Sequence, residues 1–70
     1  MATVNSNRRT ENEDAEVLTN QAKNIIMKMK SVNNEIKNGR LNNAEIKTSE
    51  VEKQITIFRK TLFTYKMLYN

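Results

Sequence analysis

Four acids, Glu11, Glu13, Asp14 and Glu16, form the densest group of chemistry-bearing side chains in this chain of 70 residues. Closely spaced carboxylates can ligate a hard cation or divide acid and base roles between them. The spacing here does neither. On a helix these positions scatter around the first two turns, with no Gly-bearing calcium loop around them and no opposing carboxylate pair to share a proton. The chain has neither His nor Cys, which removes the commonest general base, the commonest metal ligand and the thiol nucleophile. Lys and Tyr remain, without a convergent set of partners. The sequence therefore predicts no catalytic residue, no metal site and no cofactor, and an enzyme is the poorest fit.

Charge points to other ligand classes. Twelve Lys and Arg against eight acids give a net charge of +4. That balance invites nucleic acid or an anionic membrane surface as a partner. The basic residues are spread among the acids in both halves of the chain, so no patch or stripe emerges and nucleic-acid binding is not expected. No apolar run approaches the roughly 20 residues that span a bilayer, and Met1 to Arg9 lacks the apolar segment of a secretory signal. Membrane insertion is not expected, and residues 1–9 read as a flexible polar tail in which Arg8 and Arg9 keep the end soluble.

The same acids make better sense as part of a helix start. Thr10 followed by Glu13 forms a capping box, and the carboxylates complement the positive end of the helix dipole. Helix one is predicted over about 10–38, closed by Gly39, the only glycine, which can take the left-handed conformation at a helix end. A turn follows over 39–42. Asn42 reads as an N-cap with Glu45 three residues on, Leu41 and Ile46 as a hydrophobic staple, and helix two as about 43–69.

Apolar and small residues step by threes and fours along both arms. Before the turn they are Ala15, Leu18, Ala22, Ile25, Met29, Val32 and Ile36; after it, Ala44, Val51, Ile55, Phe58, Leu62, Tyr65 and Tyr69, with Thr48 filling the series. Folding the chain at Gly39 brings Met29 to Val51, Ile25 to Ile55, Ala22 to Phe58, Leu18 to Leu62 and Ala15 to Tyr65 in one register. Small residues oppose the bulkiest partners, as interdigitating layers require. The predicted fold is all-α, a two-helix antiparallel coiled-coil hairpin. Its seam is expected to consist of Leu18, Ala22, Ile25, Met29, Val51, Ile55, Phe58, Leu62 and Tyr65.

Helix two carries more apolar residues than one seam uses. Ile46, Ile57 and Leu68 recur every eleven residues on a line roughly opposite the seam, and Phe63 and Met67 lie between that line and the seam. A hairpin can bury only one side of a helix, so these five residues are candidates for contact with a partner or for self-association into a four-helix bundle. Size argues the same way. A single seam in so short a chain leaves net stability near zero, and another protein surface is the expected stabiliser.

Two short segments carry a family resemblance over approximately Thr10 to Asn70. Gln21-Ala22-Lys23-Asn24-Ile25-Ile26 and the aromatic ending Tyr65-Lys66-Met67-Leu68-Tyr69-Asn70 resemble segments of the small helical-hairpin co-chaperones of the type III secretion needle protein, in the Salmonella second-system type. The chain lacks the Tyr and Gln residues that some members carry just after the turn. The resemblance implies a cytoplasmic protein of a Gram-negative bacterium that stabilises a tetratricopeptide-like secretion chaperone and, through it, keeps the needle subunit from polymerising before export. The surplus apolar residues Ile57, Phe63, Met67 and Leu68 are then the expected contact, with Ile46 a weaker one. The rival reading is a homo-oligomeric structural or regulatory coiled-coil protein.

Overall fold

A computed structural model describes residues 11–69 and shows an all-α hairpin of two helices packed on each other. Helix α1 spans Glu11–Lys37 and helix α2 spans Leu41–Tyr69, giving rods of about 40 Å and 43 Å at 1.5 Å per residue. They run antiparallel, since Lys47 near the start of α2 bonds Ser31 and Glu35 late in α1 while Tyr69 reaches back to Asp14. The expected tail over 1–9, with Arg8 and Arg9, and the Thr10 cap lie outside the described residues, as does Asn70.

The reversal is tighter than the sequence suggested. Gly39 sits at φ +75°, its N–H donating to the carbonyl of Ile36 at 3.0 Å and the N–H of Arg40 to that of Glu35 at 2.9 Å. These two bonds define a Schellman motif, which satisfies carbonyls that the end of a helix would otherwise leave open. Asn38 adds a third tie, from its side-chain amide to the Asn34 carbonyl at 2.8 Å.

Arg40 then begins the next helix, its carbonyl accepting from Ala44 N–H at 3.0 Å. Because Arg40 both completes one motif and caps the next, α2 starts at Leu41. Asn42 lies inside the first turn and is not the cap. The staple expected between Leu41 and Ile46 is likewise not formed, since both side chains are exposed and five residues separate them on a helix where three or four are needed for contact.

Burial is confined to a narrow line. Val32, Ala44 and Val51 form the core, with Ile25 packed against them and Tyr65 buried farther along α2. Leu18, Ala22 and Phe58 are half-buried. Three residues expected in the seam behave otherwise: Met29 and Leu62 are each 45% exposed and Ile55 is also exposed. The helices are turned so that polar residues take their place, with Asp14 at 2% and Glu35 at 7% exposure. The cause is electrostatic. Contacts made by Glu35 and Asp14 draw one edge of each helix inward, and Met29, Ile55 and Leu62 rotate to the other edge.

Candidate functional site

Two kinds of surface emerge from this rotation. The first is a polar edge with built contacts. Its two central residues lie three positions after the central line, as Glu35 follows Val32 and Lys47 follows Ala44. In antiparallel helices that share a seam, the same offset leads out on the same side of the pair. Glu35 is its centre. One carboxylate oxygen accepts from Arg40 Nε and the other from Lys47 Nζ at 2.6 Å, while Lys47 also donates to Ser31 Oγ at 2.7 Å. The hydrogen bonds from Lys47 and then Arg40 hold the Glu35 carboxyl below its ordinary value, outweighing the opposing effect of burial.

At the far end of the molecule Tyr69 Oη donates to Asp14 Oδ2 at 2.5 Å. That hydrogen bond, together with burial and the negative charges of Asp14 and Glu11, pushes the Tyr69 hydroxyl up to about 12. Between these ends, Oε1 of Gln21 is buried with no hydrogen-bond partner among the described residues. No group of three or more metal-ligating side chains is found among the described residues. The early acids of α1 do not converge on a common point, so this edge has the chemistry of a clasp between helices.

The second surface is apolar and uncovered. All five residues read from the sequence as partner contacts are exposed, Phe63 at 63% and Met67 and Leu68 close to it. They do not form one patch. Ile46, Ile57 and Leu68 fall within about 40° of each other around α2, whereas Phe63 lies about 140° from Leu68 and pairs with Met67 one turn on. Thr56, Arg59, Lys60 and Thr64 surround Phe63 in an open depression. Two strips therefore flank a basic ridge containing Lys60. The last three turns of α2 are apolar on both sides of that ridge.

Sequence reasoning placed a third group in the seam that the structure sets on its own, the apolar edge opposite Glu35. Its members lie four positions after the central line: Ala22, Met29 and Ile36 on α1, Ile55 and Leu62 on α2. The signal was present in the spacing, since both the three-residue and four-residue neighbours of the central line were available as a seam. The apolar series was the obvious choice of the two. Charge pairing between Glu35 and Lys47 selects the other.

No family model matches the chain, and neither curated proteins nor solved structures provide a match. No helix among the described residues is long and apolar enough to cross a membrane.

Proposed function

We propose that this hairpin is a protein-binding chaperone subunit, of the kind that stabilises a larger helical-repeat chaperone and so helps keep a type III secretion needle subunit from polymerising before export. The observation that carries the reading is the exposure of Ile57, Phe63, Met67 and Leu68 on a helix whose opposite side is already used. Exposed apolar side chains grouped at one end of a small domain are the usual mark of a protein interface. The resemblance in the Ala22-Lys23 segment and the aromatic C-terminal turn supplies the identity of the partner, a tetratricopeptide-like chaperone in the bacterial cytoplasm. Chaperoning suits the physics, because a subunit that polymerises through apolar helix faces stays monomeric when those faces are covered. The hairpin's contribution is to complete the larger chaperone's fold.

The test separates partner contact from folding. Phe63→Asp should abolish co-purification of the larger chaperone while the circular dichroism of the hairpin stays unchanged. Val51→Asp, which places a charge at a site only 2% exposed, should lose both, with a destabilisation of about 3 kcal/mol or more. Retention of the chaperone by Phe63→Asp would exclude this face. Recovery of the chain with no helical-repeat protein would sink the reading.

A second reading, a homo-oligomeric coiled-coil protein, is favoured by one separate observation. The apolar edge of Met29, Ile36, Ile55 and Leu62 lies elsewhere on the molecule, and it also has no cover.

A further inference from the structure

We infer that the apolar edge is where a second copy of this chain docks, antiparallel and face to face, forming a four-helix bundle that leaves the Phe63 strip open. The inference goes beyond the chaperone reading and stands on different residues.

Ala22, Met29, Ile36, Ile55 and Leu62 come from both helices and, by their common offset from the seam, emerge on one side of the hairpin. Met29, Ile36, Ile55 and Leu62 are all exposed. The edge is bordered along α2 by the residues one position after the central line: Glu45, Glu52, Arg59 and Lys66. Two acids lie toward the turn and two bases toward the open end. None of the four makes an ion pair or side-chain hydrogen bond among the described residues. Glu52 and Arg59, seven residues or about 10 Å apart along the helix, are too distant to satisfy each other within one chain.

A twofold axis crossing the helices beside Ile55 resolves this arrangement. Glu52 then faces Arg59 of the second copy and Glu45 faces Lys66 of the second copy, each pair occurring twice. The same axis sets Ile55 against Ile55 and Thr48 against Leu62. On α1 the hairpin's own register, which sets Ile25 beside Ile55, carries the axis to the level of Ile25. That brings Ala22 within one residue of the level of Met29 and Ala15 within one residue of the level of Ile36, small residues opposite large ones. One operation thus satisfies the charges of one helix and the volumes of the other. Such self-complementarity is what an isologous interface requires. A partner of unrelated sequence has no reason to match both at once, which makes a second copy the occupant.

The dimer leaves Ile57, Met67 and Leu68 outside, and Phe63, about 40° on from Arg59 around α2, stands at its outer rim. Arg59 also lines the depression around Phe63, so pairing between copies and capture of a chaperone are told apart by Ile55 and Glu52, which belong to the docking edge alone, and by Met67 and Leu68, which stay outside it.

The experiment is sedimentation equilibrium on the full chain, with charge reversal and single-cysteine variants. The parent chain is expected to dimerise. Arg59→Glu should weaken the dimer at least about tenfold, because it places like charges together twice across the interface, and E52R should do the same. The double variant E52R/R59E should restore parental association, a rescue that a change in intrachain stability does not give. Since the chain contains no cysteine, Ile55→Cys should form an intermolecular disulfide under mild oxidation, whereas Ile57→Cys should not. A parent chain that is monomeric across the accessible concentration range would overturn the inference. So would a dimer indifferent to Arg59→Glu, or a disulfide that forms in the Ile57→Cys variant in preference to the Ile55→Cys variant.

Discussion

The two ends of the hairpin are held by different means. At the turn end the chain is covalently continuous, a Schellman motif fixes the reversal, and Glu35 binds Arg40 and Lys47 at once. Val32, Ala44 and Val51, the whole of the contiguous core, lie in that half. At the open end a hydrogen bond from Tyr69 to Asp14 ties the helices together. Beside it a cleft of about 260 Å³ runs between Ala15, Leu18, Leu62 and Tyr65.

The difference teaches where the molecule is finished and where it waits for something. A closed turn end keeps the register when nothing else is bound. The loosely packed open end coincides with the exposed Phe63, Met67 and Leu68, where a partner of the kind proposed would add contacts the hairpin cannot make with itself. Stability should therefore be graded along the hairpin, as local opening free energies commonly are.

Of the changes that set one end against the other, the largest effect is expected from breaking the turn-end clasp. Glu35→Gln keeps the shape and removes the charge that two cations share, so the melting temperature at neutral pH should fall and the amides around Ser31 to Lys47 should exchange faster. Acid should act on the same group. The folded-state value of Glu35 lies below its ordinary 4.5, so the folded chain binds this proton less readily than the unfolded one. Its stabilisation is complete above about pH 4.5 and is lost as pH falls through the lowered value. A parent melting temperature that drops on going from pH 7 to pH 3, with a smaller drop in Glu35→Gln, is the expected pattern. Equal drops in the two proteins would remove Glu35 from its central place at this end.

A smaller loss should follow from the turn itself. Gly39→Ala meets no atom within 4 Å, so the cost is purely conformational. Placing a Cβ at φ +75° should cost about 1 kcal/mol, readable as a shift of the urea midpoint with an unchanged slope. A shift much larger than that would mean that the Schellman bonds had also been lost.

How far these features could be foreseen follows from their physical origin. The two helices, their antiparallel order and the closing role of Gly39 were legible because apolar periodicity and a single glycine constrain them locally. The rotation of the seam was not. Leu18, Ile25 and Val32 have apolar neighbours on one side, through Ala22 and Met29, and polar ones on the other, through Gln21 and Glu35. Hydrophobicity alone selects the first. The outcome depended on whether Glu35 would meet cations from across the turn, and Arg40 and Lys47 come within its reach only once the Schellman geometry exists. The same dependence misplaced the start of α2, since the capping carbonyl of Arg40 is set by the preceding motif and not by Asn42. The exposed strips of α2 were legible as surplus apolar residues, but their division around Lys60 appears only when each is placed on the helix.

The smallest effect is expected at the open end, and its direction is opposite in pH. Tyr69 carries a hydroxyl raised from 10.0 to about 12 by its hydrogen bond to Asp14, so the folded chain holds this proton more tightly than the unfolded chain does. Its contribution is complete below about pH 10 and is lost as pH rises toward about 12. Tyr69→Phe should lower stability only slightly at pH 7, because the half-exposed end can reach water instead, and should flatten the fall in stability between about pH 10 and 12 relative to the parent. The amides of the last turns of α2 and the first turn of α1 should exchange faster in this variant, while those near Val32 and Val51 should not change. If the loss instead spread to the turn end, or matched that of Glu35→Gln, the hairpin would be closing as one unit and the contrast between its ends would fail. A loss confined to the open end, regained on adding the larger chaperone proposed above, would place the stabilising contact of that proposed partner beside Tyr69.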